Sequence, residues 1–105
     1  MYKLCFYVPV DAAEAVKHAI FDAGGGRIGD YDCCAWQVLG EGQFRPCAGA
    51  NPVIGEIGAL EKLPEYQVEL VVAKDKLVDV LRAMKAAHPY EEPAFGVFEM
   101  VDVEC

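Results

Sequence analysis

The residues of this chain best equipped for chemistry stand together in His88-Pro89-Tyr90-Glu91-Glu92-Pro93. An imidazole, a phenol and two carboxylates fall between prolines that stiffen the backbone. Histidine beside carboxylates suits a divalent cation, and a soft thiol from Cys5 or Cys47 would tilt such a site towards copper. The structural alternative is that His88 and Tyr90 hydrogen-bond at a subunit contact. Pro89 and Pro93 then set the angle of the chain, and Glu91 and Glu92 are solvated. A corner between elements needs such anchoring whatever its function, so the structural alternative is preferred. Catalysis by paired carboxylates needs separated pKa values on convergent side chains. Adjacent Glu91 and Glu92 diverge on an extended chain. Cys47 with His88 is a conceivable thiol pair that only the fold could assemble.

The elements that position this cluster follow from periodicity. Leu4, Phe6 and Val8 alternate with Lys3, Cys5 and Tyr7, a strand with one buried face. Asp11 reads as an N-cap with Glu14 completing a capping box, and Ala12, Ala15, Val16, Ala19, Ile20 and Ala23 make a helical stripe ended by Gly24. His18 lies off that stripe and is expected to be solvated. Gly24 to Gly29 spells G-x-G-x-x-G but leaves a helix rather than opening one, so a turn is the better account than a dinucleotide site. Ala35 to Leu39 predicts a second strand, Gly40-Glu41-Gly42 a hairpin turn, and Gln43-Phe44-Arg45 its short return. Trp36, among apolar neighbours, is expected to be at least half buried. Cys33 and Cys34 would face opposite ways if that strand has begun.

Residues 46–64 are rich in proline and glycine and predict a long loop, of the kind that usually carries a function or an interface. Val53, Ile54 and Ile57 on it are expected to pack on the body or on another subunit. Cys47, Pro52, Ile54, Gly55 and Gly58 are its candidate interface residues. Tyr66, Val68, Leu70 and Val72 give a third strand. Leu77, Val80, Leu81, Met84 and Ala87 give a second helix, with Asp75 in its first turn and Pro89 as its stop. Phe95 to Val101 gives the last strand. The order predicts an α+β, ferredoxin-like split β-α-β sandwich with an extra hairpin and a long loop, residues 1–105 forming one domain. The sheet face away from the helices would be covered by oligomerisation.

Composition narrows the function. The 105 residues are 54% apolar, which argues against disorder. A net charge of −8, with nine scattered Lys and Arg, excludes a phosphate-binding stripe and argues against nucleic-acid partners. No apolar run reaches the ~18–20 residues of a membrane span. Five cysteines, an odd number and without a C-x-x-C pair, at the end of no recognisable signal peptide, predict reduced thiols and a cytoplasmic location.

Four segments carry a resemblance. Gly26-Arg27-Ile28-Gly29-Asp30-Tyr31, Gly40-x-Gly42-x-Phe44, Asn51-Pro52-x-Ile54-Gly55-x-x-Gly58-x-Leu60-Glu61, and Ala87-His88-Pro89-Tyr90-Glu91-Glu92-Pro93-Ala94 occur in this order. Together they resemble a stand-alone version of the inserted domain of the NGG-interacting-factor-three family, also called GTP cyclohydrolase I type 2 homologues. The last segment also resembles the C-terminal part of CutA-like proteins. Both groups share the fold of the trimeric PII signalling proteins. The resemblance implies a PII/CutA-like homo-oligomer, a trimer, that binds a small molecule, a metal or a protein partner at clefts between subunits. His88, Tyr90, Glu91 and Glu92 are its candidate ligand or metal residues. A copper-type divalent-metal protein with His88 as ligand is the first alternative, and a small metal-dependent hydrolase the second. In the larger family the dinuclear metal site is built by flanking domains, so its hydrolytic chemistry is not implied for this chain.

Overall fold

Strand β1 (Tyr2–Pro9) is the centre of the molecule, and its alternation is realised as expected. Leu4, Phe6 and Val8 are fully buried on one face. The computed structural model describes residues 1–104. Helix α1 (Ala13–Asp22), strand β2 (Trp36–Phe44), strand β3 (Glu61–Val72), helix α2 (Leu77–Ala87) and strand β4 (Phe95–Glu99) follow. The sheet order is β2-β3-β1-β4, antiparallel at every pairing. Tyr2 stands opposite Val72 and Glu99, and Pro9 opposite Glu65. Both helices lie on one face. Their Val16, Ile20, Val80 and Met84 close a core with Leu4, Phe6, Val8, Val68, Leu70 and Val72. Each such side chain contributes about 1.5–3 kcal/mol by leaving water.

The helix ends show which local signals prevailed. The expected Asp11–Glu14 capping box is absent. Val10–Ala12 forms a single 3-10 turn, and the Ala13 N–H donates to the Val10 carbonyl. That turn supplies acceptors to the helix start, so no side-chain cap is needed. Lys74–Lys76, including Asp75, repeats the arrangement before α2. Gly24 ends α1 at φ +106, as its position predicts. His88 leaves α2 extended, at φ −70 and ψ 135, as a residue before proline should.

The glycine run after α1 is a turn. Gly24, Gly26 and Gly29 all have positive φ. The Gly26 N–H donates to the Val71 carbonyl at 2.8 Å, and the Cys34 N–H to the Gly26 carbonyl at 2.8 Å. Cys33 precedes β2 at φ +55 and so is not in a strand.

The hairpin expected at Gly40-Glu41-Gly42 does not form. These residues lie inside β2, where Gly40 opposes Glu65 and Gly42 opposes Leu63. The reason is that β3 begins at Glu61, ahead of its alternating stretch, and offers β2 a partner along its whole length. Pro64 is admitted because residues 61–64 lack a β1 partner, leaving one side of β3 unpaired there. The long loop is correspondingly shorter, residues 45–60. Strand β4 stops at Glu99 rather than Val101.

Trp36 corrects another expectation, being 58% exposed. It sits on the edge strand opposite Glu69, and that register puts it on the face the helices leave open. Lys3, Cys5, Tyr7, Val38, Gln67 and Phe98 share that face by the same register. On the long loop Val53 and Ile57 are exposed and Ile54 is half-buried. No helix among the described residues is long and apolar enough to cross a membrane.

Candidate functional site

The His88–Pro93 corner is anchored to β1 through its imidazole. His88 is buried, 6% exposed. Its Nε2 lies 2.7 Å from the Tyr7 carbonyl, and the Tyr90 N–H donates to Nδ1 at 3.1 Å. A carbonyl only accepts and an amide N–H only donates, so the ring is the neutral Nε2–H form. Burial holds its pKa below the usual value, against the opposing pull of the Tyr7 carbonyl and the Glu65 charge. Both ring nitrogens are thereby engaged, and a metal at His88 would have to displace one of these bonds.

Tyr90 follows at the end of this anchor. Its hydroxyl donates to Glu65 Oε2 at 2.7 Å. Its ring stands 5.7 Å from Phe44 in an edge-to-face arrangement and 5.1 Å from the His88 ring. Burial raises the phenol's pKa, and the bond to Glu65 with the negative charges of Glu65, Asp11 and Glu61 raises it further, so the group stays a protonated donor. Glu65 in turn lies across Gly42, where a side chain would collide with its carboxylate. Glu91 Oε1 accepts from the Asn51 N–H at 2.9 Å and ties the corner to the long loop. The loop closes on itself through Gly58 N–H to the Pro46 carbonyl at 2.8 Å.

Between corner, loop and the end of β2 lies a cavity of about 340 Å³. Cys47, Pro52, Ile54, Tyr90, Glu91 and Glu92, all singled out by the sequence, line it. Glu91 and Glu92 were expected to diverge; the chain bends rather than extends at these residues, and both residues line the same cavity. His88 does not line it but supports Tyr90 from behind. Gly55 packs beside Phe44 and Pro46 at φ +93, and Gly58 serves the loop's closure. Cys47 and His88 are not joined: the Cys47 thiol faces the Arg45 carbonyl at 3.7 Å, and both His88 nitrogens are bonded elsewhere. Among the described residues no three His, Cys, Asp or Glu side chains are grouped to hold a metal ion. His18 is solvated, with Nε2 3.3 Å from Asp22.

Sequence reasoning missed Tyr7, Phe44, Arg45 and Glu65, which also line the cavity. Tyr7 offered a signal: it is an aromatic residue on the strand face opposite Leu4, Phe6 and Val8. Tyr90→Phe is expected to cost about 1 kcal/mol in urea unfolding, since it removes one partly exposed hydrogen bond to a carboxylate and leaves the ring packing intact.

An antiparallel four-stranded sheet with two helices on one face defines the class: a ferredoxin-like fold of the CutA/PII-like kind. CutA1 from Pyrococcus horikoshii matches 99% of this chain and 87% of its own, with TM-score 0.70 at 19% identity. The PII-like protein CutA from Nostoc sp. PCC 7120 matches with TM-score 0.68 at 15% identity, over 95% of this chain and 81% of that one. These two show the fold alone.

A nearer likeness is a Bacillus cereus protein related to NIF3, with TM-score 0.82 and 37% identity over 96% of this chain and 26% of that one. In sequence, the chain is 52% identical over 99 residues to the GTP cyclohydrolase 1 type 2 homolog of Mycobacterium leprae, covering 94% of this chain and 26% of that protein. The Mycobacterium tuberculosis homolog is 50% identical over the same shares. No protein-family model matches the chain. The chain is thus homologous to one segment of the NIF3-related GTP cyclohydrolase 1 type 2 homologues, and it spans about a quarter of the length of the curated relatives it matches.

Proposed function

We propose that this chain is an oligomeric CutA/PII-like module that binds a small ligand in the cavity beneath the His88–Pro93 corner. The observation that carries this reading is the cavity itself, about 340 Å³, formed where three separate segments meet. Its mostly apolar wall and its few polar groups suit a small molecule. The wall is held in place by the His88–Tyr7, Tyr90–Glu65 and Glu91–Asn51 bonds, so the site is largely formed before the ligand arrives. The small-ligand reading stands ahead of a metal at His88, whose nitrogens are already bonded.

The homo-oligomer, a trimer, is supported by the open sheet face, where Trp36, Val38 and Phe98 are exposed in the single chain. The cysteines described in the structure are unpaired, which fits a reducing, cytoplasmic setting. Two experiments test the two halves. A thermal-shift screen of small molecules is expected to give ligands that stabilise the wild type and lose their effect in Ala50→Trp, which fills the cavity. Ligands that stabilise both proteins equally bind elsewhere and would overturn the site. Light scattering is expected to give three times the chain mass, and Trp36→Glu to lower it; a wild-type monomer at micromolar concentration would contradict the oligomer.

A further inference from the structure

We propose that the occupant of this cavity is a small organic cation, an ammonium or guanidinium carried on a compact apolar body. The inference rests on the binding reading above and assigns the chemical class of its ligand. Three acidic residues, Glu65, Glu91 and Glu92, line the cavity against the single basic residue Arg45. They come from two different elements, Glu65 from β3 and the other two from the corner.

The hydrogen-bond inventory has the same polarity. The Tyr90 hydroxyl already donates to Glu65 and the Asn51 N–H to Glu91. Two donors capable of receiving an anion are therefore spent on carboxylates. The remaining carboxylate oxygens are acceptors. After burial and the bond to Glu65, the charges of Asp11 and Glu61 make smaller contributions to the raised pKa of the Tyr90 phenol, and both are negative.

The apolar part of the wall supplies the second half of the recognition. The rings of Tyr7, Phe44 and Tyr90 line the cavity together with Pro52 and Ile54. Aromatic faces attract a cation and also cover an apolar body. A phosphate or carboxylate ligand would meet one guanidinium among three like charges. A neutral ligand would desolvate the carboxylates without compensation. A volume of about 340 Å³ is at the small end of ligand pockets and sets the size of the body, near that of one substituted ring.

The test is calorimetric titration of the whole chain with three probes of matched shape: phenethylammonium, 2-phenylethanol and 3-phenylpropionate. The site of each is mapped by amide NMR shifts. The ammonium is expected to bind at Phe44, Ile54 and Tyr90 at least about tenfold more tightly than the alcohol, with the carboxylate weakest. Raising NaCl to about 0.5 M should narrow that gap, because screening shortens to a few ångströms. Glu92 is exposed, so Glu92→Gln should leave folding unchanged and weaken the ammonium about fivefold while sparing the alcohol. Alcohol or carboxylate binding in the cavity as tight as the ammonium would overturn the cation assignment and leave the binding site standing. If no probe shifts the cavity residues at millimolar concentration, both the assignment and the site fall.

Discussion

Replacing His88 by alanine is expected to lower stability by about 3 kcal/mol, the sum of a cavity and two orphaned backbone groups. The Tyr7 carbonyl and the Tyr90 N–H both lose their partner. The ring of Tyr90 loses the support at its back, so the cavity wall should loosen as well. Urea unfolding measures the first effect, and loss of ligand-induced stabilisation the second. His88→Gln can donate to Tyr7 and accept from Tyr90 and should recover part of both. A loss under about 0.5 kcal/mol, the range of ordinary surface substitutions, would show that the corner does not depend on this imidazole.

The same residue sets a pH dependence. His88 in the folded protein titrates below its ordinary value of 6.5, so the unfolded chain binds its proton first. Its contribution is fully present above pH 6.5 and is lost as pH falls from there through the lowered folded value. Protonation turns Nδ1 into a donor facing the Tyr90 N–H, which removes that bond. His88→Gln should flatten this part of the stability profile; an unchanged slope in the variant would assign it to other groups.

Gly26→Ala is the second large expectation, a loss of about 3 kcal/mol. Gly26 has φ +74, which costs a residue with a side chain about 1–2 kcal/mol on its own. A Cβ there would stand 2.8 Å from the Cys34 carbonyl oxygen and 2.8 Å from the Phe21 ring. The Cys34 backbone is held by its N–H bond to the Gly26 carbonyl, Gly26 is tied to the sheet through Val71, and the Phe21 ring packs against the core. Gly29→Ala is the control. It shares a positive φ of +57 but has open space around it, so only the backbone cost of about 1–2 kcal/mol applies. Equal losses in the two variants would mean that the contacts at Gly26 yield freely.

Where the chain's own period or a proline decided the outcome, the sequence was sufficient. Leu4, Phe6 and Val8, the Val16–Ile20 and Val80–Met84 parts of the helical stripes, Gly24 as a helix end and Pro89 as a helix stop all depend on local chemistry; the first stripe was misplaced at one edge, since Ala13 is buried and Ala15 exposed. The middle of β2 could not be read locally, although its first half was. Gly40 and Gly42 look like a turn until β3 supplies a partner for the whole run. Trp36 is apolar in type, but its exposure depends on which sheet face the helices cover. The cavity divides in the same way. Cys47, Pro52, Ile54, Tyr90, Glu91 and Glu92 stood out by type and loop context, whereas Tyr7 and Glu65 enter through the antiparallel register of β1 and β3.

A crystal or NMR structure with the best-stabilising ligand from the screen tests most directly whether the cavity is a binding site. The expected result is density or intermolecular contacts between the Phe44 and Tyr90 rings, with Ile54 and Glu92 against the ligand. A ligand seated instead against Trp36 on the open sheet face, with the cavity unchanged, would contradict it.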